Sequence, residues 1–213
     1  MKTDDLISAL ATDLPTRAAG HLRRGLLAAM TAVALAALVG VALWLGFRPD
    51  LAEAATGPIF WSKAAYTLLI AVGAYWLVDR SGRPGGDIRA PLILLGAILL
   101  TVTGLAVVEL LTTPAGERMA TLMGVSSSVC PLNITLLAGL GAPFVVLATR
   151  RFAPERPGLT GAAAGLVAAG IAASLYGLHC PERTATFVAV WYSLGMAIPA
   201  VVGAVVGRLI WRW

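Results

Sequence analysis

Two cysteines, Cys130 and Cys180, are the residues of this 213-residue chain best suited to chemistry, and each is followed by a proline. Proline is favoured in the first turn of a helix. A cysteine at a helix N-terminus sits at the positive end of the dipole, which lowers its thiol pKa and raises its reactivity. Each Cys-Pro pair is therefore expected to open a helix with an activated thiol. Residues that could join them are His179, Glu182, Met119, Met123 and Glu109. Thiolates with thioether or imidazole form a soft set suited to Cu(I), Cd or Zn as a transient guest. Three readings of the thiols stay open: two packing residues that never meet, a permanent disulfide, or a reversible redox or metal-binding pair. His21, the only other histidine, falls on the opposite side of the expected topology.

The elements that must hold these residues are membrane helices. The chain is 58% hydrophobic and only 13% charged, with mean hydropathy +0.83. Six stretches, 26–47, 60–78, 91–111, 129–149, 158–178 and 185–207, approach the roughly 20 apolar residues that cross a hydrocarbon layer. The expected fold is all-α: a polytopic bundle of six transmembrane helices with short loops (residues 26–213) behind an N-terminal segment (1–25). Twelve of the sixteen basic residues, from Lys2 and Arg17 through Arg80, Arg83, Arg89 and Arg150 to Arg212, fall on one side of that alternation. Only Arg48, Lys63, Arg118 and Arg183 fall on the other. The positive-inside rule then places both termini in the cytoplasm and both cysteines outside. This placement also accounts for the net charge of +5, so direct nucleic-acid binding is not expected. The first helix reads as an anchor rather than a cleaved signal, being longer than the usual h-region.

Within 1–25, Leu6, Ile7, Leu10 and Leu14 lie on one face at helical spacing, with Asp4, Asp5 and Asp13 on the other. Thr3 can cap this helix and Pro15 stop it. An acidic polar face suits a basic cytoplasmic protein better than an anionic leaflet. Glu109 is the one acidic residue inside an expected span, and such a charge is a functional candidate by default. The chain has no C-x-x-C, phosphate loop or H-E-x-x-H, so an enzyme is not expected.

The opening Thr3-Asp-Asp-Leu-Ile-Ser-Ala-Leu-Ala-Thr-Asp13, the six apolar stretches, Cys130-Pro131-Leu132-Asn133 and His179-Cys180-Pro181-Glu182 together resemble the NrsF-type membrane anti-sigma factors. The resemblance covers nearly the whole chain. It implies a bacterial inner-membrane protein that holds an extracytoplasmic-function sigma factor and releases it under heavy-metal or oxidative stress. By that analogy Cys130 and Cys180 sense, and residues 1–25 bind the sigma factor, assisted by loops 80–90 and 150–157. The His-x-x-x-Cys-x-x-Cys zinc motif of soluble anti-sigma domains is absent, so their mode of sigma occlusion does not carry over. The rival reading is a small permease for a soft metal ion or thiol compound, which requires a continuous polar path and cysteines within the membrane.

Overall fold

The computed structural model describes Thr3, Asp5, and residues 19–83, 85–150 and 152–211. Of the N-terminal face, Asp5 is helical and exposed, while Asp4, Leu6, Ile7, Leu10, Asp13 and Leu14 lie outside the described residues. The described chain is helical throughout. In order come α1 (Ala19–Gly40, ending in a π-helical turn, Val41–Leu45), the short α2 (Leu51–Ala54), α3 (Pro58–Ser81) and α4 (Arg89–Thr112). Then follow a short α5 (Arg118–Met123), α6 (Cys130–Thr149) and α7 (Pro157–Tyr176). One turn, α8 (Ala185–Phe187), leads through a second π-helical turn, Val188–Tyr192, into α9 (Ser193–Ile210).

The count of six helices is corrected, because loops and π turns divide the chain more finely. Five segments have the length and apolarity to cross a membrane: Arg23–Leu45, Arg89–Thr112, Cys130–Thr149, Pro157–Tyr176 and Ala185–Ile210. The remaining long helix, α3, has 24 residues but carries Lys63, Asp79 and Arg80 together with Tyr66, Thr67 and Tyr75, which dilute its apolar character. Large apolar side chains such as Leu43, Ile93, Leu100, Leu111 and Val201 point outward, while Ala163, Ala168, Ala169, Ala172 and Ala173 fill the interior. Such an arrangement suits lipid as the surrounding solvent, where helices associate through close packing of small residues.

At the centre stands α7, which packs on α9, α3, α6 and α1. Its tightest seam is with α9. A Cβ at Gly161 would lie 2.1 Å from the Gly203 carbonyl oxygen, and one at Gly203 would lie 2.3 Å from that of Gly161. Gly165 meets the Pro199 carbonyl just as closely, at 2.1 Å. The backbones therefore touch, the geometry that small-xxx-small spacing permits. Gly203→Leu should lower the thermal midpoint of the detergent-solubilised chain, at a cost of about 3 kcal/mol from overpacking. Gly104→Leu, where a Cβ meets nothing within 4 Å, is the matched control. Equal midpoints for the two variants would contradict the seam.

Candidate functional site

At one end of the bundle α6 begins with Cys130, whose N–H donates to the Ser126 carbonyl at 2.9 Å. The expected helix N-terminus is therefore present at Cys130. It is not present at Cys180, which lies in the loop between α7 and α8 with its N–H donating to the Tyr176 carbonyl at 3.0 Å. The following helix starts only at Ala185, after the Thr184 cap accepts the Phe187 N–H at 3.3 Å. Pro181 thus lies within a loop rather than opening a helix.

The two cysteines are 50 residues apart in sequence, yet the fold brings their side chains together. Both are free thiols with no exposed surface, their sulfurs within hydrogen-bonding reach of one another. Neither is open to solvent: each is sealed inside the bundle end. Tyr176 and Tyr192, also fully buried, wall the pair with ring centroids 5.8 Å apart. The Tyr192 hydroxyl lies against Cys180 without a well-formed hydrogen bond. Ser126 Oγ is 3.9 Å from the Cys180 sulfur.

Two cations, Lys63 and Arg48, close this site. Lys63, 5% exposed, donates to the carbonyls of Cys180 (3.2 Å) and Glu182 (2.8 Å) and stands 5.7 Å from the Tyr192 ring centroid. Arg48, 6% exposed, donates to the same Cys180 carbonyl at 3.2 Å and is held by Asp50 through bonds of 2.7 and 2.6 Å. The hydrogen bond from Cys130, reinforced by the Lys63 ammonium, holds the Cys180 thiol below its ordinary pKa despite burial. Cys180 is accordingly the more acidic sulfur of the pair.

The expected co-ligands do other work. Glu182 Oε1 accepts the N–H groups of Val125 (2.8 Å) and Ser126 (2.9 Å) and the Ser126 hydroxyl (2.8 Å). Gly124, at φ +52°, makes room for it, since a Cβ there would lie 2.4 Å from Glu182 Oε2. Glu109 reaches across from α4 to cap the last helix, accepting from the N–H groups of Ala185 (3.2 Å) and Thr186 (2.7 Å) and from the Thr186 hydroxyl (2.7 Å). Both carboxylates thus serve as anionic partners for orphan amides. His179 Nδ1 bonds the Gly46 carbonyl at 2.8 Å; because a carbonyl only accepts, Nδ1 carries the proton. Met119 and Met123 are turned outward on α5, 66% and 39% exposed. Among the described residues no three His, Cys, Asp or Glu side chains are arranged to hold a metal ion. The multi-ligand constellation is therefore reduced to the thiol pair itself.

The opposite end of the bundle is polar and braced. Asp79, 8% exposed, is clamped by Arg23 from α1 (3.1 Å) and by Arg83. Glu155 accepts the Gly85 N–H at 2.8 Å, which ties together the two loops 80–90 and 150–157.

The sequence profile of the family described as Negative regulator of sigma F matches residues 10–213. The chain is 43% identical to the Anti-sigma-F factor NrsF of Caulobacter vibrioides, over the full length of both. It is 38% identical to the Probable anti-sigma-F factor NrsF of Azospira oryzae, again over both full lengths. No solved structure matches the chain.

Proposed function

This chain belongs to the family of negative regulators of sigma F, and we propose that it holds an extracytoplasmic-function sigma factor at the inner membrane and frees it when the Cys130–Cys180 pair is modified. Full-length similarity to proteins named as anti-sigma-F factors is the observation that carries the sigma-factor partner. The sealed thiol pair supports the trigger. Oxidation by a peroxide removes both S–H protons, forms one S–S bond and reduces the oxidant to two waters. A soft cation such as Cu(I), Cd or Zn would instead displace the protons and bind both sulfurs.

In this reading α3 is the sixth span. Its charges sit near the two ends, Lys63 beneath the cysteine loop and Asp79 and Arg80 in the last turns, leaving the middle apolar. An even number of spans returns the C-terminus to the side of the N-terminus, and the distribution of basic residues puts that side in the cytoplasm. The thiol site then faces the periplasm, and the 1–25 segment meets the sigma factor through Asp4, Asp5, Leu6, Ile7, Leu10, Asp13 and Leu14. The braced loops 80–90 and 150–157 lie on the same side as that segment.

Affinity purification of the chain from a detergent extract should bring down the co-expressed cognate sigma factor. Hydrogen peroxide or a cadmium salt, added before extraction, should empty it. A chain that carries no sigma factor under reducing conditions would defeat this function.

A further inference from the structure

We propose that α1 is the element through which the thiol pair acts on the N-terminal segment, with Arg48 as the positioning residue that couples the two; the inference rests on the functional reading above. Three hydrogen bonds staple the chain just past α1 to the cysteine loop. The Arg48 guanidinium donates to the Cys180 carbonyl (3.2 Å), the Arg48 N–H to the Leu178 carbonyl (3.1 Å), and His179 to the Gly46 carbonyl (2.8 Å). Asp50 fixes the guanidinium from behind, and Arg183 adds a further contact to Asp50 at 3.2 Å. Cys180 therefore cannot shift without pulling on residues 46–48.

Cys130 reaches the same helix by another route. The buried stripe of α1, Leu26, Val33, Ala37 and Val41, packs on α6, the helix that Cys130 opens. The contact is close: a Cβ at Gly141 would lie 2.7 Å from Val33, and one at Gly40 would lie 2.7 Å from Leu137. Closing a disulfide brings the sulfurs to about 2.05 Å and fixes the separation of the two Cα atoms, so any part of the approach that the side chains do not supply falls on the loop and α6. Helix shifts of about 1–2 Å are a common currency of switching.

The structure also provides compliance where the pull arrives. The π-helical turn Val41–Leu45 lies immediately before the staple, and a second one, Val188–Tyr192, carries the tyrosine that lies against Cys180. Such turns accommodate an extra residue per turn and occur at functional sites. At its other end α1 is held to α3 by the Arg23–Asp79 pair, in which the Arg23 side chain is 56% exposed. Asp79 keeps Arg83 as a partner when Arg23 moves, so the carboxylate is not left bare by a shift of α1. Beyond that pair the chain leads directly into the N-terminal segment.

The test compares Arg48→Met, Arg48→Lys and His179→Phe with the unaltered chain, co-expressed with the cognate sigma factor and treated with hydrogen peroxide. Thiol state is read by the mass of the alkylated chain, and release by the sigma factor that remains co-purified. Movement of the N-terminal segment is read independently by trypsin cleavage at Arg17. Arg48→Met should form the disulfide as fully as the unaltered chain yet lower peroxide-dependent release about tenfold, within the usual span of coupling energies. Its Arg17 cleavage should no longer respond to oxidation. Arg48→Lys, which retains one donor for the Cys180 carbonyl, should recover part of the response, and His179→Phe should lose part. Normal release and normal cleavage change in an oxidised Arg48→Met chain would overturn the inference. If Arg48→Met fails to insert, unchanged responses in both milder variants would overturn it equally. Absence of release from the fully oxidised unaltered chain would instead defeat the functional reading, and the Arg17 cleavage would still decide the coupling.

Discussion

Replacing Cys130 by serine is expected to keep the sigma factor on the membrane at a peroxide or cadmium dose that empties the unaltered chain. Serine preserves the small volume and one hydrogen-bond donor beside Cys180, so the packed end of the bundle survives. What it removes is the second sulfur, without which neither an intramolecular disulfide nor a two-thiolate cation site can form. The demand on that sulfur is large. Moving a two-state equilibrium from 1:99 to 99:1 needs about 10⁴-fold preference for one state, about 5.5 kcal/mol. A covalent S–S bond available in only one packing can supply that preference, and a lone thiol cannot. Cys180→Ser should behave alike and also remove the more acidic sulfur, the one lowered by Lys63. Purification of the sigma factor with each variant, before and after treatment, gives the answer. A Cys130→Ser chain that discharges its partner normally would end the sensor proposal.

Deleting residues 2–14 should produce the opposite phenotype: no retention under any condition, with the chain still in the membrane. The deletion removes the apolar Leu6, Ile7, Leu10 and Leu14 and the acidic Asp4, Asp5 and Asp13. It leaves Arg23, Arg24 and all of the long helices that the membrane reads. A partner bound through a short amphipathic helix gains most of its affinity from a few apolar anchors at i, i+3, i+4 and i+7 spacing. Loss of all of them should reduce co-purified sigma factor at least about a hundredfold, which corresponds to about 2.7 kcal/mol. Membrane fractionation of the truncated chain checks insertion. Retention of the sigma factor by that chain would move the binding site to loops 80–90 and 150–157.

Much of the fold was legible because apolar runs announce spans regardless of their partners. The runs 91–111, 129–149 and 158–178 fall within a few residues of α4, α6 and α7. The stretch 60–78 is a helix as expected, but the role of its Lys63 is not legible locally, because its charge is met by carbonyls 117 and 119 residues away. A cation inside an apolar stretch was itself a signal, since such charges must find buried partners. It was read instead as a marker of sidedness, as was Arg48. The cysteines stood out by rarity, but their meeting depends on how α6 and the 177–184 loop pack, and no local pattern encodes that. Glu109 and Glu182 show the converse difficulty. A carboxylate near a cysteine in sequence looks the same whether it will hold a cation or the amides of a helix start, and here both hold amides.

The complete burial of both sulfurs has a bearing on time as well as on chemistry. A reagent reaches a sealed thiol only during brief openings of the bundle end, so the observed rate is the intrinsic rate multiplied by the fraction of time spent open. Each of the bonds that close the lid, from Lys63, Arg48, Glu182 and His179, lowers that fraction. If the pair senses as proposed, a short pulse of oxidant converts little of it, while a sustained exposure accumulates. The lid also sorts by size, admitting a peroxide or a bare ion more readily than a bulky disulfide. The depth of the thiols therefore scales the exposure required, in duration and in molecular bulk, on top of how strongly the thiols themselves react.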